Sequence, residues 1–302
     1  MNALIPIVFA TDHNFLRPTL VAVHSLLKSS KGSLYDIIIL KAKDITESDE
    51  DTIITQVKAE SPQSSIRFLT PDFDFSSSYL RTNFSEVTYY RLRIPWLLLE
   101  YEKVIYADVD IVFNTDLSDL YENFKLGDNY CAGVNKRNYY SGIKYNNIVK
   151  LGLDPKEYVN AGFLIINCKK QREDNLFKLF EKYLKPDEYK FFDQDQDIIN
   201  LVCKGHIAQL PVEYNLAPDV IFKEKIKDYK LIHYTLDGKP WKTITWGWLD
   251  WWESYKELIA FDEYFYLNSM RDIYGSAISL RQGVKKLSFL GKIYKIITTK
   301  RD

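Results

Sequence analysis

Cysteine is scarce. The 302-residue chain has three, Cys131, Cys168 and Cys203, odd in number and far apart. That spacing disfavours a disulfide framework and fits a reducing compartment. No run of about 18 apolar residues, the length a membrane-spanning helix needs, interrupts the chain. The opening MNALIPIVFATDHN has no basic start and only a short apolar run, so it reads as a first strand and not as a secretory leader. Charge of one sign is not in excess: 40 Lys and Arg face 41 Asp and Glu, for a net charge of −1. Nucleic-acid binding therefore lacks bulk electrostatic support. The expected location is the cytoplasm.

Apolar residues are plentiful at 46%, enough for one large core or two modest ones. Aromatics are abundant, with 22 Tyr, 17 Phe and 6 Trp, a composition shared by aromatic-rich cores and sugar-binding surfaces. Short apolar runs at Leu4–Ala10, Tyr35–Leu40, Ser65–Leu69 and Lys103–Ala107 read as strands. Helical periodicity at Leu20–Leu27 and Ser48–Lys58 alternates with them. This order predicts an α/β fold with a mainly parallel central sheet flanked by helices. Residues 71–85 read as a loop. Glu86–Glu100 reads as a helix that Pro95 kinks or splits. Further on, Asp116–Tyr121, Gln171–Leu184 and Ser254–Phe265 suit helices. Tyr130–Val134, Ala161–Asn167, His206–Leu210 and Leu231–His233 suit strands, and 135–158 is a polar insertion with little periodicity.

The stretch VIYADVDIVF sets the chemical question. Asp108 and Asp110 stand where a strand ends, and side-chain alternation would aim both carboxylates at one place. Converging carboxylates repel unless a cation joins them. An oxygen-preferring divalent ion, Mn²⁺ or Mg²⁺, is the natural partner. Solvent-exposed turn acids are the plainer reading. Asp12, His13 and Asn14 follow the first strand, at the same end of the sheet, and can either hold a base or ribose or cap a helix. Arg91 and Arg93 point to different helix faces, so one of them suits a phosphate or carboxylate in the site. Asn160 adjoins another strand. In DQDQD, Asp193 or Asp195 can cap the following helix, although three carboxylates exceed what capping needs. His233 can join the two aspartates as a metal ligand or be a core histidine. Lys239, in HYTLDGKPW, can face a diphosphate, with Gly238 and Pro240 shaping the turn.

The end of the chain differs in charge. From Arg271 to Asp302 eight Lys or Arg face two acidic residues, which leaves −7 on the rest. With SFLGKIYKII inside it, residues 269–302 read as a basic amphipathic tail after a domain spanning 1–268. Two readings stay open: a helix packed on the body, or peripheral attachment to the cytoplasmic face of an inner membrane.

The pieces FATDHNF, YYRLRIPWLL, KVIYADVDIVF, NAGFLIIN, DQDIIN, LPVEYN and HYTLDGKPW, in this order, resemble glycosyltransferase family 8. That family holds retaining, nucleotide-sugar-dependent enzymes such as glycogenin and bacterial lipopolysaccharide galactosyl- and glucosyltransferases. The likeness implies a GT-A fold and transfer of galactose or glucose from a UDP-sugar to a glycan or glycolipid acceptor, with Mn²⁺ as cofactor. It implies that Thr11, Asp12, Asn14 and Phe15 contact the nucleoside, where Phe15 replaces the family's frequent Tyr. Arg91 would lie near the donor phosphates or sugar and Lys239 would bind the diphosphate, with Val109 and Gly238 also among the donor-binding residues. Asp108, Asp110 and His233 would hold the metal. Asn160 and Asp195 would hold sugar hydroxyls, and Gln196 would stand beside the anomeric carbon. Leu236 departs from a glycine usual in the family. Two alternatives remain. A phosphatase of the haloacid dehalogenase type also uses DxD after a strand, but near the chain start and commonly followed by Thr. A catalytically silent nucleotide- or carbohydrate-binding protein would keep the fold alone. The acceptor cleft is expected at 135–158 and at TWGWLDWW, whose Trp246, Trp248, Trp251 and Trp252 can equally be core.

Overall fold

A computed structural model describes residues 4–275 except 82–83, 136–141, 186–190, 219, 222–225, 227 and 236–237. Most of the basic tail, and Leu236, lie outside the described residues.

Seven strands form the central sheet: β1 (Ile5–Thr11), β2 (Tyr35–Lys41), β3 (Ser65–Leu69), β4 (Lys103–Ala107), β6 (Cys131–Asn135), β7 (Val159–Asn167) and β8 (Ile207–Gln209). Their spatial order is β3-β2-β1-β4-β7-β6-β8. The expected parallel arrangement holds except at β7, which runs antiparallel to both β4 and β6. That reversal has a consequence for chemistry: the N-terminal end of β7 meets the C-terminal end of β4. A small second sheet pairs β5 (Ile111–Phe113) with β9 (Leu231–His233).

β1 is buried along its whole length, as a strand covered on both faces must be. Ile5, Ile7 and Phe9 join one apolar cluster and Val8 and Ala10 the other, so alternate side chains feed two layers. Each of the Ile, Val and Phe side chains contributes about 1.5–3 kcal/mol by leaving water. On one face lie α1 (Leu16–Ser29), with Pro18 tolerated in its first turn, and α2 (Glu47–Glu60), opened by a reciprocal Thr46–Asp49 capping box.

Several elements differ from the periodicity reading. The segment expected as helix 86–100 is a 3-10 turn, Glu86–Arg93, followed by the short α3 (Ile94–Leu97), with Pro95 in its first turn. After α4 (Ser118–Asn123), the supposedly irregular insertion contains α5 (Gly142–Lys150). The expected helix 171–184 is two, α6 (Cys168–Glu173) and α7 (Phe177–Tyr183), separated where Asn175 takes φ 48°. After α8 (Asp195–Val202), the last expected helix begins earlier, as α9 (Trp248–Lys256), and residues 263–275 are helical again. All three cysteines are buried thiols.

Candidate active site

β4 ends at Ala107, and a turn carries the chain through Asp108, Val109 and Asp110 into β5. The carboxylates thus converge through a turn, not through strand alternation as expected, with the Val109 side chain buried between them in sequence. The backbone amide of Asp108 donates to the Gly162 carbonyl at 2.7 Å, which ties the turn to the start of β7. His233 ends β9, whose partner β5 follows Asp110 directly; Ile111 pairs with His233 in register.

These placements bring the three expected ligands together. His233 Nε2 lies 3.5 Å from Asp108 Oδ2 and 3.2 Å from Asp110 Oδ1. One donor atom from each of the three residues falls within 4.8 Å of the others. Among the described residues Asp110 Oδ1 is buried and meets no partner nearer than the His233 imidazole, a position that a cation can share. Two hard oxygens and one imidazole nitrogen suit Mn²⁺ or Mg²⁺. The space exists because residue 162 is glycine: a Cβ there would stand 2.1 Å from His233 Cε1 and 2.7 Å from Asp108 Oδ2.

Electrostatics completes the picture. Burial would raise the Asp110 carboxyl, but Lys239 and His233 outweigh it and hold it well below the usual carboxylate range. The Lys239 ammonium pairs with Asp110 and donates to the Tyr234 carbonyl at 2.7 Å. Arg91 is buried between two acids, with Nη2 2.8 Å from Asp108 Oδ1 and Nε 3.1 Å from Asp195 Oδ2. Its Nη1 donates to the Ala161 carbonyl at 2.6 Å, and its guanidinium stacks on Tyr106. Arg93 faces away and forks onto Asp72, so one arginine of the pair enters the cluster.

Asp195 does not cap its helix. The N-cap is Gln194, at φ 48° and without a side-chain cap bond, because the three carboxylates are engaged elsewhere. Asp193 pairs with Lys144 of α5, Asp197 accepts from the Tyr158 hydroxyl, and Asp195 takes Thr88 on one oxygen and Arg91 on the other. Burial pushes the Asp195 carboxyl up to about 6, with Arg91 and Thr88 offsetting only part of it. Gln196 Oε1 accepts from Asn160 Nδ2 at 2.7 Å and from the Ala161 amide at 3.1 Å.

The β1 end contributes a neighbouring wall. Asp12 caps the 3-10 turn His13–Phe15 through the Phe15 amide and accepts from Ser85 at 2.8 Å. Thr11 bonds Thr19, Asn14 is exposed, and the Phe15 ring stands edge-on to Trp241, 6.2 Å between centroids. That contact joins the loop after β1 to the segment carrying Gly238 and Lys239. Trp251 and Trp252 are fully buried, which removes them from any acceptor surface; Trp246 and Trp248 are half-buried. Sequence reasoning overlooked Asn215, Thr88, Tyr158 and Gly162. Two of them carried a signal, as the last residue of LPVEYN and the glycine of NAGF.

The sequence model of glycosyl transferase family 8 matches residues 6–245. The protein belongs to glycosyltransferase family 8. Relatives of this family 8 chain include a Haemophilus influenzae protein named as a glycosyltransferase, 28% identical over 78% of this chain and 72% of its own length. Another is the lipopolysaccharide glucosyltransferase WaaO of Escherichia coli, 25% identical over 81% of this chain and 75% of its own. The galactosyltransferase LgtC, solved with donor and acceptor sugar analogues, superposes with a TM-score of 0.73 at 26% identity, covering 86% of this chain and 99% of LgtC. The family 8 chain spans a smaller share of other relatives, 60% of the Streptococcus pneumoniae glycosyltransferase GlyE and 52% of the bifunctional WbbM structure. The fold is of the GT-A type, as the resemblance implied, and the chain is a glycosyltransferase.

Proposed function

We propose that this family 8 enzyme moves a hexose, glucose or galactose, from a UDP-sugar to a surface glycan such as lipopolysaccharide or capsule, with retained anomeric configuration and Mn²⁺ dependence. The observation that carries this reading is the convergence of Asp108, Asp110 and His233, one donor atom from each lying within 4.8 Å of the others. Those three residues would hold the metal, which when bound supplies positive charge against the leaving diphosphate. Lys239 adds a second cation beside the same place, and Arg91 a third through Asp108. Asp12, Asn14 and Phe15, with Thr11 and Val109, form the nucleoside side, and Gly238 the phosphate turn. Asn160, Asp195 and Gln196 orient the sugar.

Both Asp195 oxygens are already engaged, by Thr88 and Arg91, which disfavours it as a covalent nucleophile. Gln196 is an amide and a poor nucleophile. This favours front-face attack: the acceptor oxygen bonds the anomeric carbon on the side from which the diphosphate oxygen departs, and the acceptor proton passes to that departing oxygen. LgtC has also been solved with an active-site glutamine changed to glutamate, and Gln196 is read as its counterpart here. The acceptor would approach past α5 and half-buried Trp246 and Trp248. Among the described residues no helix is long and apolar enough to cross a membrane. Attachment at the cytoplasmic membrane face would fall to the tail.

Incubation with UDP-glucose and UDP-galactose, with and without Mn²⁺, tests this. UDP release that appears with Mn²⁺ and stops on chelation is expected. Donor binding with no turnover at any metal concentration would replace the transferase by a silent binder, and turnover indifferent to chelation would remove the metal from the scheme.

A further inference from the structure

Four side chains, Gln196, Asn215 and His233 buried and Asn160 half-buried, form a hydrogen-bonded line from Gln196 to His233. Gln196 Oε1 accepts from Asn160 Nδ2 at 2.7 Å, Asn160 Oδ1 accepts from Asn215 Nδ2 at 2.8 Å, and Asn215 Oδ1 lies 2.8 Å from His233 Nδ1. The polarity of this line is fixed by the backbone. An amide N–H can only donate. The Ala161 amide donates to Gln196 Oε1, and the Gly162 amide donates to Asn160 Oδ1 at 3.1 Å. Asn160 must therefore present its oxygen to Asn215, and Asn215 must answer with its nitrogen. That leaves the Asn215 oxygen facing the imidazole, so Nδ1 carries a proton. In the neutral imidazole, Nε2 is then the bare nitrogen, and it is the one aimed at Asp108 and Asp110.

Asn215 is held there by two independent constraints. It is fully buried, and the His233 amide donates to the carbonyl of the next residue, Leu216, at 2.8 Å. An isolated bridge pairs Leu216 with Ile232 beside it. The segment Val212–Leu216 thus lies along β9 with Asn215 opposite His233.

We propose that Asn215 is a positioning residue: it selects the His233 tautomer whose Nε2 can ligate a cation, and it couples that imidazole to the Asn160–Gln196 pair. This rests on the reading of Asp108, Asp110 and His233 as a metal site. Partners of this kind orient a ligating imidazole and raise its basicity.

The test has a readout that needs no metal. The chain contains four histidines, so ¹⁵N-imidazole spectra of the apo protein can be assigned with His233→Gln as the subtraction control. Spectra are recorded over a pH series, and in its neutral form wild-type His233 should show a protonated Nδ1 and a bare Nε2. Asn215→Ala should mix the tautomers and weaken Mn²⁺ binding about 10- to 100-fold by calorimetry. Asn215→Asp keeps an acceptor for Nδ1–H; it should retain the tautomer and the metal affinity but lower kcat, because the donor to Asn160 is gone. Asn160→Ala frees the Asn215 amide from one link further away and should also mix the tautomers, which keeps the proposal testable if Asn215→Ala does not fold. A single unchanged tautomer and unchanged Mn²⁺ affinity in Asn215→Ala, or in Asn160→Ala where that variant is the one that folds, would overturn it. Wild type that binds no Mn²⁺ would instead overturn the metal reading, while the apo tautomer result would stand by itself.

Discussion

Asp110 carries the sharpest contrast between its two oxygens. One pairs with Lys239, and the other is buried with the His233 imidazole 3.2 Å away as its nearest partner among the described residues. Asp110→Asn keeps the shape but replaces a charge that a divalent ion requires. Metal-dependent UDP release should fall by at least about 100-fold, several kcal/mol of lost charge stabilisation, while the circular dichroism spectrum stays native. Activity at the wild-type level would refute the assignment. Asp195 makes a different prediction, about pH. Its carboxyl is pushed up to about 6 when folded, from 3.8 when free. The folded state therefore binds the proton more tightly, so this group's stabilising contribution is complete below pH 3.8 and is lost as pH rises through about 6. Thermal melts of the metal-free protein should show a stability loss across that interval that Asp195→Asn flattens. Equal slopes in the two proteins would count against it. Asp108, Asp110 and His233 were legible in the sequence because each borders an apolar run, and Arg91 because it stands one expected helix before the paired aspartates. Asn215 was not. An asparagine ending LPVEYN belongs to a piece the sequence marks, but its task shows only once a strand places a histidine opposite it.

At the scale of elements, the reversed β7 is the decisive feature. It delivers Asn160, the Ala161 carbonyl and Gly162 to the end of β4, against a turn that its own direction would otherwise point away from. Gly162→Ala tests this directly. The added methyl would meet His233 Cε1 at 2.1 Å and Asp108 Oδ2 at 2.7 Å. Those ligands must spread to accept it, at a cost of about 1–3 kcal/mol for an overpacked site. Mn²⁺ affinity should drop at least tenfold, and the melting temperature should fall modestly. Unchanged metal affinity would show that the imidazole and the carboxylate do not share this space. The strands themselves were legible, since β1, β2 and β3 are short, apolar and bounded by polar turns. The direction of β7 was not, because antiparallel and parallel buried strands share one hydrophobic signature. The helices failed where local chemistry overrode periodicity. Pro95 opened a new turn, and Asn175 in the left-handed region cut the 171–184 pattern in two. α5 was hidden because Ile143, Tyr145 and Val149 are exposed and Ile148 alone of its apolar residues is buried, which leaves no apolar periodicity to read.

For the whole molecule, the open matter is where the enzyme works. The helical stretch 263–275 exposes Tyr264, Leu267 and Tyr274, at 79%, 57% and 50%. Their spacing of three and seven sets an apolar stripe on one side of that helix, and it leads toward a segment with seven Lys or Arg and one Asp between 276 and 302. Near an anionic bilayer each such cation contributes about 1 kcal/mol, within a Debye length of roughly 8 Å at physiological salt. The full chain should therefore sediment with phosphatidylglycerol vesicles at low salt and be released as salt rises. Deleting residues 276–302 should abolish sedimentation and leave Mn²⁺-dependent UDP-sugar hydrolysis in solution near its original rate, since the residues assigned to donor and metal all precede 240. Transfer to an acceptor embedded in the same vesicles should then drop while hydrolysis does not, separating attachment from chemistry. The competing arrangement, a C-terminal helix packed on the body, makes the opposite forecast: the full chain ignores vesicles, and the deletion lowers the melting temperature by exposing the surface it covered.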